Sequence, residues 1–328
     1  MPANKILVAR AIFPDLLAGL EDEFVVTANQ ADEICSPAHL RGLVAGQDGL
    51  LITSSEIVDA ALLAAAPRLR AICNIAVGYN NIDLAAATAA GVMVTNTPDV
   101  LNETTADFGW ALLMATARRI TEAEHWLRAG QWQKWQLDGF LGADLHGSTL
   151  GIIGMGRIGQ AIARRATGFS MRVLYHNRSK LTPQQELDAN RATYCSKSEL
   201  LRQADHIVLV LPYSAGTHHA IGAAELALMK PSATLVNIAR GGIVDEAALI
   251  AALRSGRLAA AGLDVFENEP NVNPELLRLS NVVLTPHIAS ASGRTRRAMV
   301  NCAVDNLRAA LRGAAPPNLL NPTVVARG

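Results

Sequence analysis

The chain has 328 residues, of which 50% are hydrophobic and 18% charged, and its 29 lysines and arginines balance its 29 aspartates and glutamates. This length suggests two domains, and the apolar content excludes an intrinsically disordered chain. The balanced charge argues against proteins that bind nucleic acids or membrane surfaces, because those carry a basic excess.

The first part of the chain alternates short apolar strands with helical patterns. Strands are predicted at residues 5–9, 24–26, 49–52, 71–75 and 92–96, and helices at residues 12–20 and 59–66. One long helix is predicted from about residue 103 to residue 130, with Asn102 as its N-cap. An irregular segment rich in tryptophan follows it as far as residue 146.

A second series of strands and helices fills the rest of the chain. Its strands are predicted at residues 150–153, 172–176, 206–211, 234–238, 260–264 and 282–285. Such alternation implies parallel strands joined by crossover helices. We therefore predict an α/β fold with two doubly wound parallel sheets, and a last helix at residues 291–312 that packs back on the first domain.

Membrane and metal sites find little support in the sequence. No apolar run is long enough to span a bilayer, and the amino terminus enters a strand pattern directly. The four cysteines form no CxxC pair, which predicts reduced thiols in a cytoplasmic protein and no zinc site. The adjacent His218 and His219 superficially suggest a metal, but adjacent side chains on a strand or helix point apart. We predict no metal.

The most informative motif is Gly154-Met155-Gly156-Arg157-Ile158-Gly159, which lies between a predicted strand and a predicted helix. In a dinucleotide-binding loop the first glycine allows the tight turn, the second admits the pyrophosphate and the third lets the helix pack on the strand. The anion then rests on the N–H groups at the start of the helix. The alternative is an ordinary turn between strand and helix.

The end of the next strand bears on the choice of nucleotide. An NAD site usually has an acidic residue about 20 positions after the glycines, where it accepts the ribose hydroxyls. This chain has Asn177 there, followed by Arg178, Ser179 and Lys180. A neutral amide does not repel a 2′-phosphate, and the residues after it can bind one. The sequence therefore predicts NADP (NADPH), with a solvated basic turn as the alternative.

Three later residues have side chains that can transfer a proton and hold an anion. His287 suits proton transfer because imidazole titrates near neutral pH, and Glu269 could pair with it. Arg240 offers a charged planar fork to a carboxylate. They are too far apart in sequence for one helix to assemble them. Alternatively they are a surface arginine, a turn carboxylate and a structural histidine.

Four further segments, in the same order as in a known family, extend these observations. They are Asn74-Ile75-Ala76-Val77-Gly78-Tyr79-Asn80-Asn81-Ile82-Asp83, Asn237-Ile238-Ala239-Arg240-Gly241-Gly242, Gly262-Leu263-Asp264-Val265-Phe266-Glu267-Asn268-Glu269-Pro270 and Thr285-Pro286-His287-Ile288-Ala289. With the glycine loop, they resemble the D-isomer-specific 2-hydroxyacid dehydrogenases. The resemblance implies a substrate (catalytic) domain at residues 1–101 and 288–328, and an inserted NADP-binding domain at residues 102–287.

The resemblance also implies roles for individual residues. Arg240, Glu269 and His287 are expected to be catalytic, and Val77 and Gly78 to hold the substrate carboxylate with Arg240 and His287. The expected cofactor contacts are Thr105, Gly154, Met155, Gly156, Arg157, Ile158, Gly159, Asn177, Arg178, Ser179, Leu211, Pro212, Thr217, Ile238, Ala239 and Asp264. Simple turns, a helix start at Thr105 and an end-of-strand cap at Asp264 are the alternatives.

Within this family the sequence most resembles glyoxylate/hydroxypyruvate and 2-ketogluconate reductases. We expect a small 2-oxo acid as substrate, and a homodimer formed through the apolar helix and tryptophan-rich loop of residues 106–135, for which core packing is the alternative. A phosphoglycerate-type dehydrogenase and, from a different class, a dinucleotide-binding corepressor are the alternative functions.

Overall fold

A computed structural model describes residues 3–324 of the chain. It divides into two compact units, Met1–Leu101 with Ser292–Gly328, and Asn102–Ala291. The sequence places the first boundary at the same position and the second one four residues earlier, between residues 287 and 288. No helix of the described residues combines the length and apolar character that crossing a membrane requires.

The elements follow one another as alternating strands and helices. The first are β1 (Lys5–Val8), α1 (Pro14–Glu21), β2 (Val25–Ala28), α2 (Pro37–Val44), β3 (Gly49–Ile52), α3 (Ala60–Ala65), β4 (Ala71–Asn74), α4 (Leu84–Ala89), β5 (Met93–Thr95), α5 (Asn102–Ala117) and α6 (Ile120–Arg128). Then come β6 (Thr149–Ile153), α7 (Arg157–Arg165), β7 (Arg172–His176), α8 (Pro183–Asp188), β8 (Thr193–Tyr194), α9 (Lys197–Gln203), β9 (His206–Leu209) and α10 (Ala223–Leu228). The last are β10 (Thr234–Asn237), α11 (Glu246–Arg254), β11 (Ala260–Leu263), β12 (Val282–Leu284) and α12 (Gly293–Leu311).

The first unit is a five-stranded parallel sheet in the order β2-β1-β3-β4-β5. Strand β3 is buried along its whole length, as parallel strands covered on both faces are. Helix α12 packs on this sheet so closely that a Cβ on Gly49 would lie 2.7 Å from Leu307. The return helix predicted from the sequence therefore covers the first sheet.

The second unit is a seven-stranded parallel sheet in the order β12-β11-β10-β9-β6-β7-β8. The direction of winding reverses between β6 and β9. In doubly wound sheets, ligands bind outside the carboxyl ends of the strands at such a reversal. This position is where the glycine loop leaves β6, so the topology alone marks it as a candidate binding site.

The prediction of one continuous helix over residues 103–130 is wrong. The chain forms α5 and α6 with a break between them, where Arg119 adopts the left-handed conformation at φ 54°. The Arg119 side chain donates to Glu122 at 2.8 Å, which helps to fix the start of α6. Asn102 is the first residue of α5 and not the N-cap before it.

Three short elements are absent from the sequence prediction, namely α2, α4 and β8. Helix α2 begins after Ser36, whose hydroxyl accepts the His39 N–H at 3.2 Å, and has Pro37 at its first position. Serine followed by proline is a helix-start signal that was available in the sequence. Strand β8 has only two exposed residues at the sheet edge and carries no apolar pattern.

Candidate active site

The glycine loop after β6 has the backbone geometry of an anion-binding turn. Gly154 has a φ of 102°, and a Cβ there would lie 2.6 Å from the backbone of Val210 and Leu211 beyond β9. A Cβ on Gly159 would overlap the carbonyl oxygen of Gly154. A Cβ on Gly156, by contrast, would meet nothing within 4 Å. Gly154 and Gly159 thus permit close packing of the backbone. Gly156 leaves space beside the start of α7, and this space fits a dinucleotide phosphate.

The residues after β7 contact this loop directly. The Met155 N–H donates to Asn177 Oδ1 at 2.8 Å, so the neutral amide is tied to the backbone of the glycine loop. Arg178 and Ser179 are exposed beside it, and Lys180 lies 3.6 Å from Glu186. The Met155 side chain is fully buried, so any contact that it makes with a ligand is through its backbone.

The other predicted cofactor residues occupy strand ends of the same unit. Leu211 and Pro212 follow β9, and Thr217 Oγ1 donates to the Pro212 carbonyl at 2.9 Å, which closes that turn. Ile238 and Ala239 follow β10 and are buried. Arg157 and Ile158 are the first residues of α7. Thr105 is buried in the first turn of α5.

His287 and Glu269 form an ion pair at the carboxyl end of the sheet. His287 Nδ1 lies 2.7 Å from Glu269 Oε2, and each side chain is about one third exposed. The second oxygen, Glu269 Oε1, accepts the Phe266 N–H at 2.9 Å. Because the carboxylate accepts the proton on Nδ1, Nε2 is the ring nitrogen that remains for proton exchange with a substrate.

The environment of Glu269 favours its ionised form. Burial opposes ionisation, but the hydrogen bond and charge of His287 outweigh it, so the pKa of Glu269 lies below its ordinary value. The Phe266 N–H and the charge of Arg240 act in the same direction. An ionised Glu269 in turn is a strong acceptor for the hydrogen bond from His287 Nδ1.

Asp264 holds the turn that carries His287. Its side chain is fully buried, and its two oxygens accept hydrogen bonds from the His287 turn. The bonds come from Thr285 Oγ1 at 2.8 Å, the Ile288 N–H at 2.8 Å and the Ala289 N–H at 2.9 Å. The Asp264 carbonyl also accepts the His287 N–H at 2.9 Å. These contacts make Asp264 a cap at the end of β11, and its contact with the cofactor stays a prediction.

His287 itself has a left-handed backbone, with φ of 52°. Residues other than glycine rarely adopt this backbone conformation, and they keep it only where the surrounding structure fixes it. The hydrogen bonds of Asp264 on both sides of His287 provide that restraint. Burial raises the pKa of Asp264 against the opposing effect of the Ile288 N–H and its other partners.

Arg240 lies on the loop beyond β10, and Gly241 joins this loop to the one that carries Glu269. Asn237 shapes the turn, since its Oδ1 accepts the Ala239 N–H at 3.0 Å and its Nδ2 donates to the Arg240 carbonyl at 2.9 Å. A Cβ on Gly241 would overlap the backbone of Phe266. Only glycine permits this approach, which brings Arg240 close enough for its charge to act on Glu269.

Sequence reasoning missed a polar network behind these loops. His219 Nε2 lies 2.8 Å from Glu267 Oε1, which also accepts the Glu246 N–H at 3.2 Å. Glu246 Oε1 accepts the Glu267 N–H at 2.8 Å in return. The network therefore ties the start of α11 to the loop of Glu269. No local pattern links residues so far apart in sequence.

The prediction that His218 and His219 point apart is wrong. Their rings stack with centroids 3.8 Å apart, because His219 has a φ of 50° and belongs to a turn rather than a strand or helix. Between residues 3 and 324, no three or more His, Cys, Asp or Glu side chains are grouped so that they could hold a metal ion.

The predicted substrate residues Val77 and Gly78 lie in the first unit, in the loop after β4. Two asparagine side chains bind their carbonyls, Asn96 to Val77 at 2.8 Å and Asn74 to Gly78 at 2.9 Å. The structure thus assembles Arg240, Glu269, His287 and the glycine loop at the carboxyl ends of one sheet, and places the Val77 loop at the carboxyl end of the other sheet.

Comparisons with known proteins agree with this geometry. A family model described as D-isomer specific 2-hydroxyacid dehydrogenase, NAD binding domain, matches residues 110–289. The chain is 47% identical to a glyoxylate reductase of Thermococcus onnurineus over 98% of this chain and 97% of the relative. It is 48% identical to glyoxylate/hydroxypyruvate reductase B of Citrobacter koseri over 97% of this chain and 98% of the relative.

A solved structure shows the same fold with ligands bound. It is the NADPH-dependent glyoxylate/hydroxypyruvate reductase of Sinorhizobium meliloti in complex with NADP and malonate. The two chains superpose with a TM-score of 0.86 at 37% identity, over 99% of each chain.

Proposed function

Because this chain belongs to the D-isomer-specific 2-hydroxyacid dehydrogenase family, we propose that it uses NADPH to reduce a small 2-oxo acid to the D-2-hydroxy acid. The candidate substrates are glyoxylate, hydroxypyruvate and 2-ketogluconate. The observation that carries the proposal is the 2.7 Å pair of His287 with an ionised Glu269. It provides a proton donor whose ring is oriented by a charged hydrogen-bond acceptor.

Each residue has a defined part in this reaction. When bound, NADPH supplies the hydride. His287 donates the proton from Nε2 to the carbonyl oxygen, and Glu269 holds the ring by accepting the hydrogen bond from Nδ1. Arg240 binds the carboxylate and polarises the carbonyl through its guanidinium group. Asp264 holds the His287 turn in place throughout.

The preference for NADPH rests on the residues after β7. Asn177 carries no charge that would repel a 2′-phosphate, and its amide oxygen is already bound to the Met155 N–H. Arg178 is exposed at the adjacent position and can make a charge-assisted hydrogen bond to a phosphate. The Sinorhizobium meliloti structure, which is described as NADPH-dependent, supports the same choice.

The substrate class is supported by the names of the relatives. The proteins compared above are glyoxylate or glyoxylate/hydroxypyruvate reductases. The test is a panel of glyoxylate, hydroxypyruvate, 2-ketogluconate and 3-phosphohydroxypyruvate, each assayed for kcat/KM with NADPH and with NADH. We expect turnover of at least one of the first three with NADPH preferred. No turnover of these three, or a preference for NADH, would contradict the proposal.

We also propose that the protein is a homodimer. Helix α6 and the segment after it expose a run of large apolar side chains that a monomer would leave in water. They are Ile120, Leu127, Trp132, Trp135, Leu137 and Leu141. Light scattering after size exclusion is expected to give twice the mass of the chain for the native protein, and a reduced mass for Trp135→Glu. A native monomer would contradict the proposal.

The last part of the proposal concerns cellular context. The chain has no net charge, so it lacks the basic excess typical of nucleic-acid binding proteins. We propose a cytoplasmic enzyme whose partners are its cofactor, a small 2-oxo acid and a second copy of itself. Fractionation of cells that express the tagged full chain tests this, and recovery with membranes would contradict it.

A further inference from the structure

In the loop after β4, a separate donor binds each of three consecutive carbonyl groups. The bonds run from Thr97 N to Ala76 O at 3.0 Å, from Asn96 Nδ2 to Val77 O at 2.8 Å and from Asn74 Nδ2 to Gly78 O at 2.9 Å. The donors come from the ends of the neighbouring strands β4 and β5. Three consecutive peptide groups are therefore fixed from the side of the sheet.

Fixing the carbonyls also orients the N–H groups of the loop. The one cis peptide among the described residues is at Glu269–Pro270, so the peptides of this loop are trans. In a trans peptide the N–H points opposite to the carbonyl that precedes it. The N–H groups of Val77, Gly78 and Tyr79 therefore point away from the asparagines, and none has a hydrogen-bond acceptor within residues 3–324.

These three N–H groups have the character of an anion site. Val77 and Gly78 are partly exposed and Tyr79 is exposed, so a ligand in solvent can reach them. Successive backbone N–H groups on one side of a turn bind carboxylates and phosphates. The asparagines themselves are buried, Asn74 completely and Asn96 with 7% exposed, and do not face a ligand.

Asn96 is also held by the last helix. The Asn96 carbonyl accepts Asn306 Nδ2 from helix α12 at 3.2 Å. A buried amide with fixed partners loses little further freedom when a ligand binds, which favours affinity. The loop is thus oriented before the ligand arrives.

We propose that Asn74 and Asn96 are positioning residues that set the affinity for the substrate carboxylate by aiming the N–H groups of residues 77–79. The inference rests on the proposed function, because a 2-oxo acid supplies the carboxylate. The two buried side chains act through the loop carbonyls that they bind. Binding of the carboxylate by the loop is thus a separate step from the proton transfer at His287.

The test compares Asn74→Ala and Asn96→Ala with the control variant Asn321→Ala. Asn321 is equally buried in the same unit and binds the backbone of β5 at Val94, but makes no bond to the loop. Losing the orientation of one loop N–H towards the carboxylate is expected to raise the KM for the 2-oxo acid about tenfold. The kcat and the KM for NADPH are expected to stay unchanged, whereas the control loses stability without a change in KM.

Calorimetry with oxalate provides a readout that does not depend on turnover. Oxalate is a carboxylate that the enzyme does not reduce, and its Kd with the NADP-bound protein is expected to rise about tenfold in both loop variants. Asn96→Gln keeps an amide donor, and we expect it to recover part of the affinity.

The outcomes separate the two proposals. An inactive wild-type protein would refute the proposed function, not the positioning role, which the oxalate Kd still tests. If the wild type is active and both loop variants match the Asn321→Ala control in KM and oxalate Kd, the positioning role is overturned. Should the alanine variants not fold, Asn96→Gln, which keeps an amide donor, is compared with Asn96→Asp, which has none. A weaker oxalate affinity and a higher KM in Asn96→Asp than in Asn96→Gln support the positioning role. Equal values in the two variants overturn it.

Discussion

Glu269→Gln tests the electrostatic basis of the proposed proton transfer. The change removes one negative charge and keeps an oxygen that can accept the Phe266 N–H, as Glu269 Oε1 does at 2.9 Å. Reduction needs a proton on His287, and the Glu269 carboxylate accepts the hydrogen bond from Nδ1 that holds the ring for its transfer. The amide of Glu269→Gln keeps an oxygen but not the charge, so we expect a weaker hold on the ring and slower reduction.

The size of the loss follows from the geometry of the pair. A hydrogen bond to a charged group contributes about 1.5–3 kcal/mol. The pair is partly exposed, with 35% of the His287 side chain and 33% of the Glu269 side chain accessible. Solvent screening therefore places the expected loss at the lower end, about 1.5 kcal/mol, or about tenfold in rate.

The assay is kcat/KM for reduction at a fixed pH. We expect kcat/KM to fall about tenfold in Glu269→Gln. Glu267→Gln is the matched control, since Glu267 pairs with His219 at 2.8 Å and not with His287. An unchanged kcat/KM in Glu269→Gln, or the same loss in both variants, would refute the reasoning.

Three further substitutions test other parts of the site. Asp264→Asn replaces one acceptor by a donor that faces the Ala289 N–H. We expect a loss of about 2 kcal/mol in the free energy of unfolding, measured by denaturation, and a lower kcat, measured by steady-state kinetics. Unchanged values would contradict the role of Asp264 in holding the His287 turn. Asn177→Asp is expected to move the ratio of kcat/KM for NADPH to that for NADH about tenfold towards NADH; an unchanged ratio would exclude this position from nucleotide choice. Gly241→Ala places a methyl group on the Phe266 backbone, and we expect about 3 kcal/mol of destabilisation by urea unfolding; a native stability would show that the loop can yield.

The alternation of strands and helices could be predicted because buried parallel strands are apolar along their whole length. Strands β3 and β11 are examples, since every residue of each is apolar and buried. The break between α5 and α6 could not be predicted in this way. Residues 118–119 carry no glycine or proline, and Arg119 is a left-handed residue that only its tertiary surroundings fix.

The sequence predicted which residues would have the chemistry of the site but not how they are held. The motifs around Arg240 and His287 pointed to an arginine fork and a proton donor. The three hydrogen bonds that Asp264 accepts from the His287 turn depend on how β11 and β12 lie side by side. The same applies to Gly241, since its contact with Phe266 joins residues from different loops. Such contacts have no local sequence period.

The reductase account depends most directly on His287. The decisive measurement is the steady-state oxidation of NADPH with glyoxylate or hydroxypyruvate by the native protein and by His287→Gln, together with the Kd for NADPH. We predict that kcat falls between about 10²-fold and 10⁴-fold, as expected for loss of a general acid, while NADPH binding is retained. Equal turnover by the two proteins would contradict the role of His287 in proton transfer.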